Sequence, residues 1–357
     1  MALSPQESTP EKSVAALRGP TDGRARQRPL PDGDTHDLAI GLEPVLRDVC
    51  HGRLGPVEWF QSTWQRGGAA TGFATWSFPG GAEAEVIVKL PVGPREHSWT
   101  VGLGAVEHEE WGSAESIRLP VPRVVAAGEM LGGYDLAWVV IERLAGPTLN
   151  HAICEPMVQE LLQTAAEFYA AAAGVRPVEG NGEGRDWAGL LARSRGALEH
   201  VRMPEVQRWR EALHRLDRCL KKVLAIWDAR ALDTWCHGDL HPGNAMRRAS
   251  NNGAPGRCVL LDLAFVHAGH WVEDAVYVER QFWAHPEVLG STKPVSELAR
   301  RRRALGLPSH GDYAELAAAR RVLMAGCAPA WWETEGSPAY ARGALKVLES
   351  HLHLFGK

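Results

Sequence analysis

The sequence predicts an α+β fold in two lobes, a small antiparallel sheet followed by a larger and mainly helical part. Three observations carry this. Between residues 57 and 90, three short runs rich in β-branched and aromatic residues alternate with glycine-rich turns. Beyond about residue 144 the hydrophobic period changes from two to helical. Late in the helical part, residues 235–262 read WCHGDLHPGNAMRRASNNGAPGRCVLLD, a polar loop and turn ending on an apolar run. With 357 residues, 45% hydrophobic and 23% charged, the chain has material for a core in each lobe.

Composition also excludes several classes. A formal net charge of −4 gives no basic field for nucleic acid. The fourteen tryptophans are spread without a stacking stripe for single strands. No apolar run approaches the roughly 20 residues of a membrane helix, and the opening MALSPQESTPEKS has no apolar segment of a secretory signal. The six cysteines are scattered without a C-x-x-C pair, which predicts reduced thiols and a cytoplasmic location.

In chain order, residues 1–35 are rich in Pro, Gly and charge and predict a disordered tail. Residues 36–143 form the expected first lobe. Leu38, Leu42, Val45, Leu46 and Val49 suggest a short amphipathic helix over 36–50, and strands are expected at 57–65, 72–78 and 84–90. The turn at 66–72, which includes Gly68, lacks a G-x-x-x-x-G-K-[ST] pattern. Lys89 closes the run Glu85-Val86-Ile87-Val88-Lys89 in the manner of a V-A-I-K strand. The acidic segment 105–116 reads as the next helix, with Glu107 and Trp111 on one face. Strands follow at 123–127 and 136–141. Residues 144–357 form the second lobe, with helices near 156–174, 187–201, 205–231, 294–305, 312–324 and 338–354.

The stretch 235–262 carries the chemistry. Asp239 follows His237 by two positions, Asn244 follows after four more residues, and Asp262 ends the run Cys258-Val259-Leu260-Leu261. Ser250-Asn251-Asn252-Gly253 and Pro255-Gly256 are turn formers, so a hairpin of 245–249 with 257–261 brings Asn244 and Asp262 together. H-x-D-x-x-x-x-N followed by a strand-terminal Asp is the spacing of a kinase catalytic loop and its metal-binding acid. An amide and a carboxylate oxygen suit Mg²⁺, a hard cation, while Asp239 can orient and deprotonate a hydroxyl. His237, Asp239 and His241 alone could instead form a metal cluster of a hydrolase. That reading leaves Asn244 and Asp262 unused. A polar turn without chemistry would account for the glycine and proline, but not for two acids and an amide in register.

HGDLHPGN followed by LLDLAFVHAGHWVEDAVY resembles the aminoglycoside phosphotransferase and choline kinase-like family. The resemblance is specific in this window; elsewhere it is one of order and spacing. It implies a protein-kinase-like two-lobe fold and an ATP- or GTP-dependent, Mg²⁺-assisted transfer to a small-molecule hydroxyl. It implies that Asp239 is the base, that His237 braces the loop, that Asn244 and Asp262 hold the metal, and that Asp274 is a structural acid. Lys89 would hold the nucleotide phosphates under a covering loop that includes Gly68. Family spacing back from Pro122 makes Glu107 the lysine's carboxylate partner, with Glu110 as the alternative. Glu142 to Leu144 would form the linker whose backbone N–H and C=O groups pair with the adenine edge. A catalytically inactive, nucleotide-binding scaffold keeps the same fold. From residue 263 onward ten acids stand against eleven lysines and arginines, which does not describe a trap for a polycation.

Overall fold

Strand β1 (Glu58–Phe60), β2 (Ala70–Ser77), β3 (Glu83–Leu90), β4 (Val124–Gly128) and β5 (Trp138–Glu142) form one antiparallel sheet in the order β1-β2-β3-β5-β4. The computed structural model describes residues 32–60, 68–249 and 256–356. The tail expected at 1–35 lies almost wholly outside the described residues, as do residues 61–65 of the first expected strand and Arg66 and Gly67 of the turn expected to cover the phosphates. Helix α1 (Asp32–Val49) begins inside the stretch expected to be tail.

Side chains alternate across a strand with a period of two. On β3 this buries Val86, Val88 and Leu90, and α1 adds Ala39 and Leu46 to the same cluster with Leu54, Trp76 and Trp138. Lys89 therefore points to the opposite face. It is paired in register with Thr71 on β2 and Val139 on β5, so it sits in the middle of the sheet and not at an edge.

The helix after β3 is not where the acidic segment suggested. Helix α2 spans Pro94–Gly104, with proline at its first turn, where a missing N–H costs nothing. Residues 105–116 instead hold a single 3₁₀ turn at His108–Glu110 and the start of the short helix α3 (Ala114–Arg118). Trp99 and Leu103 of α2 are buried, but in the core of the second lobe. The Trp99 ring meets Trp235 edge-on at 4.8 Å between centroids, and the Arg176 guanidinium lies 4.2 Å over it. Helix α2 is thus the element of the first lobe most firmly docked on the second.

The second lobe contains α4 (Glu155–Val175), α5 (Trp187–His200) and α6 (Val206–Asp228), close to the expected bounds. Two small antiparallel ladders follow. Strand β6 (Thr234–Cys236) pairs with β9 (His267–Gly269), and β7 (Ala245–Arg247) with β8 (Cys258–Leu260). The second is the expected hairpin; its turn at 250–255 lies outside the described residues. Helices α7 (Val272–Gln281), α8 (Pro294–Ala304), α9 (Tyr313–Gly326), α10 (Trp332–Glu335) and α11 (Pro338–Leu352) complete the lobe. Among the described residues, no helix is long and apolar enough to cross a membrane.

Candidate active site

The loop between β6 and β7 is held from below by Asp274. Its carboxylate accepts from the backbone N–H of His237 at 2.7 Å and of Gly238 at 3.0 Å, and from the Tyr169 hydroxyl at 3.0 Å. Complete burial pushes the Asp274 carboxyl above its ordinary value, against the opposing pull of His237 and the two N–H donors. Gly238 has φ +82°, and a Cβ there would lie 2.3 Å from the Phe265 carbonyl oxygen. The loop can therefore follow this path only with glycine at that position.

His237 is fully buried and fixes the loop through both ring nitrogens. Nδ1 accepts from the Asp239 N–H at 3.3 Å, so Nε2 carries the proton and donates to the Leu261 carbonyl at 2.9 Å. That second bond reaches the residue just before Asp262. The Leu261 N–H in turn donates to the Asn244 carbonyl at 2.8 Å. The hairpin thus sets the backbone of Asn244 against Leu261, one residue before Asp262.

Asp239 is 4% exposed and its carboxylate is well supplied with donors. Oδ1 accepts from the Tyr277 hydroxyl at 2.7 Å, and Oδ2 from Asn244 Nδ2 at 3.0 Å. His241 Nδ1 accepts from the Gly243 N–H at 3.0 Å, which leaves Nε2–H to face Asp239 Oδ2 at 3.6 Å. Burial alone would raise the Asp239 pKa, but His241, Tyr277 and His237 together hold it well below the usual carboxylate range. Asp239 is therefore ionised at neutral pH.

Asn244 uses its amide nitrogen on the Asp239 carbonyl and carboxylate, which leaves the amide oxygen as its remaining coordinating atom. Asp262 has φ +60°, an uncommon conformation for any residue but glycine. It sits where β8 gives way to the turn Leu263–Phe265. An amide oxygen and a carboxylate are donor types that suit a hard divalent cation such as Mg²⁺.

Lys89 is linked to this region by way of α2. Its ammonium pairs with the Glu96 carboxylate in the first turn of that helix, and α2 packs against the Leu263–Phe265 turn that follows Asp262. Glu96, and not Glu107, is the partner of Lys89. Glu107 is exposed and caps the next turn, and Glu110 is exposed as well. The error lies in the helix assignment, because the first helical turn after β3 begins at Pro94, eleven residues before the segment chosen.

The side chain of Glu142, the first residue of the expected linker, is turned to the interior. Its carboxylate accepts from the Arg123 backbone N–H at 2.9 Å and Arg123 Nε at 2.8 Å, and from Arg248 Nε at 2.8 Å. It is a buried brace at the head of the linker, with both carboxylate oxygens accepting from arginine N–H groups. Leu144 packs at the lobe junction with 9% exposure. Gly68 has φ +131° and open space around it, as a turn glycine would.

Two residues at the site were not anticipated. Tyr277 falls three positions after Asp274, hence on the same face of α7, and that spacing is the signal that could have placed it against the loop. Glu96 had its own signal, an acid in the first turn of a helix opened by proline.

The sheet lobe, the helical lobe and this loop between them define a protein-kinase-like fold. The family model described as Phosphotransferase enzyme family matches residues 73–319, more than half of the chain, and the protein belongs to that family. Among solved structures, an aminoglycoside phosphotransferase from Alicyclobacillus acidocaldarius subsp. acidocaldarius DSM 446 is similar, with 13% identity, 93% of this chain and 96% of that chain covered, and a TM-score of 0.51. A microcompartment-associated aminopropanol kinase is similar at 14% identity, with 88% and 98% covered and a TM-score of 0.50. At these identities the likeness is one of fold. No curated protein matches the chain.

Proposed function

We propose that this phosphotransferase moves the γ-phosphoryl of ATP or GTP to a hydroxyl of a small molecule. The observation that carries the reading is the chain of contacts from Lys89 through Glu96 and α2 to the turn after Asp262, beside Asn244 and Asp239. Lys89, steadied by Glu96, holds the nucleotide phosphates. Asn244 and Asp262 hold Mg²⁺, which when bound neutralises charge on the phosphate oxygens. Asp239, ionised and fixed by Tyr277 and His241, orients the acceptor hydroxyl and takes its proton as the new bond forms. His237 and Asp274 hold the loop in place. The linker at 142–144 lies along the adenine, with recognition by backbone groups after Glu142.

Several acids of the second lobe are already paired with arginines, which offers no support for a ring of carboxylates that selects a polycation. Glu273 pairs with Arg230, Glu279 with Arg321, Glu297 with Arg300 and Arg301, and Glu349 with Arg208. These acids are already neutralised, so an aminoglycoside is one candidate among hydroxylated metabolites.

The test is a screen of the purified protein with Mg·ATP and Mg·GTP against a broad panel of hydroxylated small molecules, read as acceptor-dependent nucleoside diphosphate release. Release with at least one acceptor, lost in Asp239→Ala, is the expected result. Nucleotide binding without transfer to any acceptor would favour a non-catalytic scaffold.

A further inference from the structure

Below the catalytic loop lies a second group of coordinating side chains that the transfer reaction does not use. Cys236 and His267 are direct partners in the β6–β9 ladder, so their side chains leave the same face. Glu273 reaches them from the first turn of α7, with Oε2 3.4 Å from His267 Nε2. One donor atom from each, sulfur, nitrogen and carboxylate oxygen, lies within 4.8 Å of the other two. Cys236 is fully buried and Glu273 is 2% exposed, so the cluster opens to solvent only past His267.

We propose that Cys236, His267 and Glu273 form a binding site for a thiophilic divalent cation of the zinc class, separate from the Asn244–Asp262 pair.

The donor set selects the metal. Sulfur and imidazole nitrogen with one carboxylate suit zinc, whereas Mg²⁺ prefers oxygen alone. Bond lengths of about 2.0–2.3 Å place tetrahedral ligands roughly 3.5 Å apart, so donor atoms within 4.8 Å of one another need close by roughly 1.3 Å at most. The histidine is already oriented. Its Nδ1 lies 2.9 Å from the Phe265 carbonyl, which can only accept, so Nδ1 carries a proton and Nε2 is the atom turned to the cluster. That is the support a metal-bound imidazole receives from outside its coordination shell. Glu273 is divided in the same way. Oε1 accepts from Arg230 Nε at 3.0 Å and from the His270 N–H at 3.0 Å, and Oε2 faces His267. On binding, the Cys236 thiol releases its proton to solvent and Sγ donates an electron pair to the metal. His267 Nε2 binds as neutral imidazole, and the proton it shares with Glu273 is likewise released to solvent, which leaves the Glu273 carboxylate ionised. Solvent past His267 supplies the fourth ligand.

The site would act on the catalytic loop through adjacent residues. Cys236 precedes His237, and Glu273 precedes Asp274, whose carboxylate holds the His237 and Gly238 N–H groups. A cation here would fasten β6, β9 and α7 together under that loop.

Cobalt(II) is a suitable probe, because tetrahedral thiolate ligation gives a near-ultraviolet charge-transfer band and intense visible bands. The full chain, stripped with chelator, is titrated with Co²⁺ and then with competing Zn²⁺. The expected result is a thiolate–cobalt band saturating near one ion per chain, displaced by Zn²⁺, absent in Cys236→Ala and weakened at least tenfold in affinity by His267→Ala. The band persists in Asp262→Asn, which separates this site from the proposed Mg²⁺ site. A cooperative thermal melt confirms that each variant is folded. No thiolate band in the wild-type chain, or a band unchanged in folded Cys236→Ala or His267→Ala, would overturn the proposal.

Discussion

Arg248 and Glu142, 106 residues apart in the chain, form a buried ion pair in which Nε and Nη2 of the guanidinium lie 2.8 and 2.7 Å from one carboxylate oxygen. The remaining Arg248 N–H groups reach the carbonyls of Ile117, Leu119 and Val121. Arg123 occupies the other oxygen of Glu142. The last residue of the sheet, the approach to β4 and the hairpin bearing Asn244 are thereby joined at one carboxylate. A guanidinium suits this role because its planar fork satisfies several acceptors at once.

Removing one partner of such a pair leaves an uncompensated buried charge, which costs roughly 3–5 kcal/mol. Glu142→Gln and Arg248→Met should each lower the melting temperature by on the order of ten degrees. The double variant should lose less than the sum, because neither charge is then left alone. Calorimetry on the three variants decides it. Strict additivity would mean that the two residues do not act as a unit.

Asp239 and Tyr277 should separate in kinetics. Asp239→Asn keeps the shape but removes the carboxylate, and turnover should fall by about 10²–10⁴-fold. Nucleotide affinity should hardly change, because Asp239 lies outside the proposed metal ligands. Tyr277→Phe removes one hydrogen bond to a charged group, of about 1.5–3 kcal/mol. A tenfold to hundredfold lower kcat at unchanged nucleotide Kd is expected. Loss of nucleotide binding in Tyr277→Phe would show that the hydroxyl serves the fold instead.

Asp233 should contribute an acid-sensitive part of the stability. Its carboxylate lies 2.5 Å from His310 Nε2 and accepts from the Thr234 hydroxyl at 3.0 Å, just ahead of β6. Partial burial would raise its pKa, but the bonds from His310 and Thr234 hold it below the ordinary value near 3.8. A depressed carboxylate stabilises the fold above its unfolded pKa, and that contribution is lost as pH falls through the folded value. The wild-type chain should therefore melt above Asp233→Asn at neutral pH, and the gap should close below about pH 4. A constant gap across the acid range would contradict this.

The sequence revealed what is local and spaced by chemistry. His237, Asp239 and Asn244 lie within one loop, and turn formers lead from them to Asp262, so their convergence needed only a hairpin. Lys89 was picked out by its place at the end of the run Glu85–Lys89, in the manner of a V-A-I-K strand. The Arg248–Glu142 pair was not, because nothing in either residue's surroundings encodes a partner 106 positions away. The β6–β9 ladder was missed for a different reason: three-residue strands carry too little alternation to register. Helix α2 was obscured by its composition. Gly102 and Gly104 weaken its helical character, and its buried Trp99 and Leu103 are too few to outweigh the acidic run that follows.

That last confusion yields a direct experiment. Lys89 is paired with Glu96, on a helix docked through Trp99 onto Trp235, one residue before the β6 strand ends. A lysine that grips phosphates needs its ammonium held in position. Glu96→Gln keeps the size and removes the charge, so the lysine should lose its orientation. Both nucleotide KM and kcat should worsen, with kcat/KM for the nucleotide falling on the order of a hundredfold, about 2.7 kcal/mol. Glu107→Gln and Glu110→Gln should remain within twofold of wild type, since both carboxylates are exposed. Trp99→Ala should combine the two behaviours. It leaves the ion pair chemically intact but undocks its helix, at a stability cost of roughly 3–5 kcal/mol. Steady-state kinetics with nucleotide varied at saturating acceptor, alongside thermal melts, separates the cases. If Glu107→Gln were the damaging substitution and Glu96→Gln the silent one, the helix beginning at Pro94 would not be the element that delivers the lysine's partner.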